Sequence, residues 1–266
     1  MRYFVEISYK GFNYRGWQRQ PDVPTIQETI ESCMSRVLHK PITCIGCGRT
    51  DAMVHASQFF FHFDFYNPID FDLKFRLNKM LPADICIINI HQVDDYPHAQ
   101  FSAIRRTYDY LIHTQKDPFL SEQSALYQLE FDLHKMLRAL HLIPGQTDFA
   151  NLCLCPSHQS TTICEVKSVK LMVNKRSKML RISISANRFL QGMVRIIVQQ
   201  LIWVGTGELS LEEFELQLNG TKKITNHKPA YPQGLYLSKV QYPFLNSTNS
   251  SNFFSLMDDA QWEEIQ

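Results

Sequence analysis

The order of hydrophobic periodicities constrains this chain more than any other feature of its sequence. Residues 2 to 9 alternate between apolar and polar side chains, which is typical of a half-buried strand. Thr25 and Glu28 then form a capping-box pattern, and apolar residues recur at helical spacing as far as Val37. The chain continues with predicted strands near 42–47 and 57–65, a helix near 70–80 and a strand near 85–93.

The same order starts again in the second part of the chain. It predicts a strand at 106–113, a helix at 131–142, strands at 161–173 and 179–186, a helix at 189–204, a short helix from Ser210 and a last strand at 234–242. We therefore predict an α+β protein with two related halves, each of strands covered by two helices, that share or abut a sheet. The expected domains are residues 1–104, residues 105–243, and a linker with an acidic tail at 244–266.

The composition is that of a globular protein, and we expect it to work in the cytoplasm. Of the 266 residues, 44% are hydrophobic, which is enough for one large core or two smaller ones. The N-terminal sequence MRYFVEISYK lacks the apolar core of a signal peptide, and the longest apolar runs are too short to span a bilayer. No membrane association is therefore expected.

The seven cysteines follow no disulfide framework, which favours a reducing compartment. Cys44 and Cys47 have a spacing seen in zinc sites, but no histidine pair stands at finger-like spacing. We predict buried free thiols and no metal.

Charge is unevenly distributed along the chain. The totals are 27 Lys and Arg against 26 Asp and Glu, and the last basic residue, Lys239, is followed by four acids. Between Glu165 and Arg195 there are eight basic residues and a single acid. This segment is a candidate phosphate-binding surface, and a solvated hairpin with a basic tip explains the charge equally well.

The sequence GRTDAMVHA, residues 48–56, joins two predicted strands and carries the strongest chemical signal. Gly46 and Gly48 allow a tight turn at the end of a strand. Asp51 supplies a carboxylate suited to nucleophilic or base catalysis, and Arg49 can contact a phosphate or stack on a base. We interpret His55 as a hydrogen-bonded packing residue.

The longer motif GCGRTDAMVHA resembles the catalytic signature of the TruA family of tRNA pseudouridine synthases. Further segments resemble the family in the same order along the chain: YKGFNYRGWQRQ with TIQE, LNKMLPADI, HAQFSAIRRTYDYLI, TDFANLC, ANRFLQGMVRIIV and YPQGLYLSKVQY. The similarity extends from Tyr3 to Tyr242. Ordered motifs over such a span are far more specific than any single one.

The resemblance implies the pseudouridine synthase fold, an α+β fold in which two related ferredoxin-like or RRM-like halves form an extended antiparallel sheet with helices on one face. It also implies the isomerisation of uridine to pseudouridine in the anticodon arm of tRNA, at positions 38 to 40, without cofactor or metal. It implies that Asp51 is the catalytic nucleophile or base, that Tyr108 packs on the uracil and helps to remove the C5 proton, and that Arg195 pairs with the aspartate. Arg49 corresponds to the arginine that fills the space of the flipped-out base, and Leu235 to a substrate contact. The family also implies a homodimer.

These roles agree with the chemistry. A stacked uridine does not expose C1′ and C5, so the base must be flipped out, and an inserted cation offsets part of the unstacking cost. A neighbouring arginine keeps an enclosed carboxylate ionised. An aromatic face holds the detached uracil.

Read as isolated residues, the same side chains have structural explanations. Arg195 falls at the edge of an apolar helical stripe, and Tyr108 alternates with apolar residues on a strand face. Tyr14 and Trp17 fit a core position at least as well as an RNA-facing one.

The chain departs from the family pattern at several positions. Met53 and Gln199 replace usual glycines, and Thr161 with Thr162 stands where an arginine often precedes the strand. If the glycine at position 53 has positive φ, we expect the loop to relax around methionine. Two alternatives stay open, a paralogue acting on another RNA or position and a non-catalytic RNA-binding protein.

Overall fold

The computed structural model describes residues 1–245 and 262–266 as two compact units. The first contains residues 1–104 and 236–245, and the second contains Arg105–Leu235 and residues 262–266. The NSTNSSN segment, predicted as a linker, lies outside the described residues, as do Asp258 and Asp259.

The first unit is a sheet of long strands with two helices. Its elements are β1 (Arg2–Tyr9), α1 (Ile26–Leu38), β2 (Ile45–Gly46), β3 (His55–Asp64), α2 (Leu73–Met80), β4 (Ile85–Val93) and nearly all of β9 (Leu235–Gln241). The strands pair in the order β9-β3-β1-β4, and β2 also pairs with β3. The β1 pairings are antiparallel, whereas β9 runs parallel to β3 with His55 opposite Tyr236.

The predicted α1 cap is confirmed, because the side chain of Thr25 accepts a hydrogen bond from the Glu28 amide. The predicted strand at 42–47 is much shorter. The side chain of Glu31 accepts a hydrogen bond from the amide of Cys44, and the side chain of Gln27 donates one to the carbonyl of Cys44. Side chains of α1 thus satisfy backbone groups of Cys44 that would otherwise pair with a neighbouring strand.

A buried polar network fixes the register of this sheet. The Glu6 carboxylate on β1 accepts hydrogen bonds from Gln58 on β3 (2.7 Å) and from Asn89 on β4 (3.0 Å). Gln58 in turn accepts from the amide of Val240 on β9 (2.9 Å). A shift of one residue would leave the buried carboxylate of Glu6 without its hydrogen-bond donors. The network therefore favours a single register for β1, β3, β4 and β9.

The second unit repeats the mixture of strands and helices. Its elements are β5 (Arg105–His113), β6 (Ala125–Leu126), α3 (Leu133–Leu142), β7 (Val166–Asn174), β8 (Met179–Ala186), α4 (Met193–Thr206), α5 (Leu211–Leu218) and β10 (Glu263–Glu264). The strand order is β10-β7-β8-β5, and β6 pairs in parallel with β5. The α+β class is confirmed, and the pairing is antiparallel except for two short parallel ladders.

The largest differences from the sequence prediction in this unit are the starts of β7 and α4. Strand β7 starts at Val166 because residues 162 and 164 bond instead to the segment at 147–149, as in the amide of Phe149 donating to Thr162. Helix α4 starts at Met193 because Gly192, its N-cap, is in the left-handed conformation with φ 72°.

Most cysteines are buried free thiols, as predicted. Cys86 and Cys155 are the exceptions, being exposed. Within residues 1–245 and 262–266 there is no group of three or more His, Cys, Asp or Glu placed to hold a metal ion. None of the helices in that part of the chain is long and apolar enough to cross a membrane.

Candidate active site

The loop that carries Asp51 is held by the segment 9–17, which the sequence places far from it. The amide of Trp17 donates to the carbonyl of Thr50 (3.1 Å), and the hydroxyls of Tyr9 and Thr50 are 2.8 Å apart. The amide of Met53 donates to the carbonyl of Tyr14 (3.0 Å). The segment 9–17 and the loop 48–56, which are far apart in the sequence, therefore pack together around the candidate catalytic residue Asp51.

Two glycines make this close approach possible. A Cβ atom at Gly11 would lie 1.9 Å from the carbonyl oxygen of Val54, and one at Gly16 would lie 2.5 Å from that of Thr50. Gly16 also has φ 96°, a conformation that other residues rarely adopt. Any side chain at either position would push the segment away from the Asp51 loop.

Within the loop, exposure differs between the two candidate residues. Asp51 is half-buried, and its carbonyl accepts the amide of Val54 at 3.2 Å, which closes a tight turn. Arg49 is exposed, and its side chain makes no hydrogen bond or ion pair within the described part of the chain. The exposed guanidinium of Arg49 is therefore available for a ligand.

Met53 keeps a positive φ of 64°, so the expectation that the loop relaxes around this side chain was wrong. Neighbouring residues 50 and 54 are both fixed against the segment 9–17, and Met53 itself bonds to Tyr14. The backbone path is therefore imposed from outside the loop, and methionine adopts the conformation that suits glycine.

His55 is a packing residue, as interpreted from the sequence. It is 1% exposed, its Nδ1 accepts the amide of Gly11 at 3.0 Å, and its ring stacks on Tyr236 with centroids 4.6 Å apart. Tyr14 and Trp17 are also buried, and Trp17 packs on Phe59 with a centroid separation of 4.1 Å. These two aromatic residues belong to the core and are not an RNA-facing surface.

The other candidate residues lie in the second unit. Tyr108 is half-buried on β5 and meets the ring of Phe189 edge to face, with centroids 5.0 Å apart. Leu235 is buried at the start of β9.

Arg195 lies in the first turn of α4. Its Nε donates to the carbonyl of Ala230 at 2.8 Å, and its own carbonyl accepts the amide of Ala230 at 3.0 Å. This double link between residues 35 positions apart has no signature in the sequence, because both groups of Ala230 are backbone atoms.

The basic segment between Glu165 and Arg195 is partly neutralised by acids. Glu263 and Glu264 lie on β10, which pairs with β7. Glu264 forms an ion pair with Lys170, and Glu263 forms one with Lys175. Arg181 forms a buried ion pair with Asp109. Lys167 also contacts Glu165, so at least four of the eight basic residues are in ion pairs within the described part of the chain.

Comparison with known proteins identifies the class of enzyme. A family described as tRNA pseudouridine synthase matches residues 139–243 of this chain. The tRNA pseudouridine synthase A of Porphyromonas gingivalis is 36% identical over 91% of this chain and 97% of its own length. That of Bacteroides thetaiotaomicron is 33% identical over 97% of this chain and 98% of its own length, and that of Hydrogenobaculum sp. is 36% identical over 90% and 99%.

These matches extend over nearly the whole of each protein. The chain therefore belongs to the tRNA pseudouridine synthase A family, whose members are isomerases. The family resemblance of the sequence motifs is confirmed.

Proposed function

We propose that this protein converts uridine to pseudouridine in the anticodon arm of tRNA, at the family positions 38 to 40, with Asp51 as the catalytic carboxylate. The reaction is an isomerisation in which the bond between C1′ and N1 breaks and C5 joins C1′. The uracil is recaptured, the C5 proton is lost to a base and N1 gains a proton, so the atoms balance and no water has to be activated, in contrast to a glycosidase.

The observation that supports this proposal is the clamped loop around Asp51. Catalysis by a single carboxylate requires that its position be held within a fraction of an ångström. Backbone bonds from Trp17 to Thr50 and from Met53 to Tyr14 hold the residues on both sides of Asp51. The exposed Arg49 is two residues away, which suits insertion into the gap left by a flipped base.

The remaining roles follow from the family motifs. We propose that Tyr108 packs on the uracil and helps to remove the C5 proton, that Leu235 contacts the substrate, and that Arg195 keeps Asp51 ionised. The half-buried ring of Tyr108 and the anchored guanidinium of Arg195 are compatible with these roles. We also propose that the protein acts as a homodimer in the cytoplasm, without cofactor.

The decisive experiment is modification of unmodified tRNA in vitro, with pseudouridine mapped at nucleotide resolution. We expect the product within the anticodon arm. Pseudouridine elsewhere, or in another RNA alone, would identify a paralogue with a different substrate. Tight RNA binding without any pseudouridine would identify a non-catalytic binding protein.

A further inference from the structure

The dipeptide Ala230–Tyr231 has all four of its polar backbone groups bound to side chains or backbone of the second unit. Both groups of Ala230 bond to Arg195. The carbonyl of Tyr231 accepts a hydrogen bond from the Tyr110 hydroxyl at 2.8 Å, and its amide donates to the Tyr127 hydroxyl at 3.4 Å. The dipeptide therefore connects Arg195 on one side to two tyrosine hydroxyls on the other.

Packing holds the two residues of this dipeptide unequally, because Ala230 is fully buried whereas Tyr231 is exposed. Tyr231 is 47% exposed, and together with Tyr127 and Gln199 it lines a cavity of about 200 Å³. Tyr231 lacks packing contacts on the cavity side, so the position of its backbone depends more strongly on its hydrogen bonds. Those bonds come from Tyr110 and Tyr127.

The two tyrosines are well suited to act as fixed anchors. Tyr110 is fully buried on β5, and Tyr127 is 9% exposed. Burial raises the pKa of both hydroxyls above the ordinary tyrosine value, so both keep their protons at neutral pH. A Cβ atom at Gly234 would lie 2.8 Å from Cζ of Tyr110, which shows how closely the backbone that follows Tyr231 rests on this ring.

We propose that Tyr110 and Tyr127 are positioning residues for the reaction, which fix the guanidinium of Arg195 through the backbone of Ala230 and Tyr231. This inference rests on the role of Arg195 in the proposed function. Gln199 supports the same positioning role, because its Oε1 accepts a hydrogen bond from the Tyr127 hydroxyl at 3.4 Å. The residue that replaces a family glycine thus supports an anchor of Arg195.

The test removes each hydroxyl without changing the ring. We expect Tyr127→Phe and Tyr110→Phe each to lower kcat for tRNA modification about 5-fold, the order expected for one hydrogen bond, with KM within about 2-fold of wild type. Tyr242→Phe is the matched control, because it removes a buried hydroxyl that donates to the carbonyl of Ala99 in the first unit. We expect its kcat to change less than about 2-fold.

A double-mutant cycle separates positioning from general stability. Arg195→Lys keeps the charge and lacks the Nε–H that binds Ala230, so it should lower kcat by itself. Adding Tyr127→Phe to Arg195→Lys should then cause no further loss, because the link that Tyr127 supports is already broken. If Tyr127→Phe folds poorly, Tyr110→Phe can be combined with Arg195→Lys in the same way.

The outcomes are distinct. Full kcat in both tyrosine variants, full kcat in Arg195→Lys, or losses that multiply in the double variants would each overturn the positioning role. None of these results touches the proposed function, which is tested separately by pseudouridine mapping in the wild-type protein and by turnover of Asp51→Asn.

Discussion

The amide of Met53 donates a hydrogen bond to the carbonyl of Tyr14 at 3.0 Å while Met53 holds a φ of 64°. The left-handed conformation costs a residue other than glycine about 1 to 2 kcal/mol. Glycine would avoid this strain but loses roughly 0.5 to 1 kcal/mol more conformational entropy on folding. The strain is the larger of the two effects.

Met53→Gly should therefore raise the free energy of unfolding by about 0.5 kcal/mol, measured by urea denaturation. We expect activity to persist and the relative rates at different uridines to change, because Met53 is two residues from Asp51. Initial rates at each candidate uridine provide the measurement. Lys178→Gly, at φ 52° in the β7–β8 turn, is the control: it should give a similar gain in stability with unchanged relative rates. Identical relative rates in Met53→Gly would show that Met53 has no part in substrate choice.

Asp51→Asn should abolish pseudouridine formation and leave tRNA affinity within a few fold of wild type. Chemistry depends on one carboxylate, whereas RNA binding depends mainly on contacts to many phosphates. Single-turnover assays and filter binding at one fixed salt concentration measure the two quantities separately. Turnover near that of wild type would refute the assignment of Asp51.

The stability of the first unit should fall as the pH drops from about 6.5 towards 4. His62 is 1% exposed, and its Nδ1 accepts the amide of Ala99 at 3.1 Å. Burial, aided by the charges of Arg2 and His98, lowers the pKa of His62 to about 4. Between this pKa and the ordinary value near 6.5, the unfolded chain binds more protons than the folded one, so protonation favours unfolding.

The expected contribution of His62 is a slope of at most about 1.4 kcal/mol per pH unit in that window. His62→Asn retains an acceptor near the Nδ1 position and does not titrate, so its unfolding free energy should depend less steeply on pH. The exposed His134 on α3 offers the control, since His134→Asn should leave the slope as in wild type. Equal slopes in His62→Asn and wild type would contradict the prediction.

Asp109→Ala should destabilise the second unit by about 3 to 5 kcal/mol, the range for breaking one side of a buried ion pair. Asp109 accepts from Nε of Arg181 at 2.8 Å, and the side chains are 2% and 12% exposed. The control is Lys175→Gln, which removes an ion pair with Glu263 whose side chains are 72% and 62% exposed. Its effect should stay within about 0.5 kcal/mol. Equal losses in thermal or urea unfolding would show that burial does not set the strength of the Asp109 pair.

Much of the fold and part of the site follow from local sequence. Periodicity located β1, β4 and β8 to within a residue, and the cap at Thr25 located the start of α1, because strand alternation and helix capping depend on residues close together in the chain. The motif around Asp51 identified the family for a similar reason, since its residue types and spacing are contiguous.

Only the tertiary structure determined the features that depend on hydrogen bonds between residues far apart in the sequence. The path of Met53 is set by the segment 9–17, the parallel pairing of β3 with β9 joins residues about 180 positions apart, and Arg195 is anchored by backbone atoms of Ala230. Backbone groups are the same in every residue, so their long-range pairings leave no trace in residue type. The sequence by itself determined the order of elements and the chemistry of the Asp51 loop, whereas long-range hydrogen bonds and close packing at glycines determined how that loop and Arg195 are held.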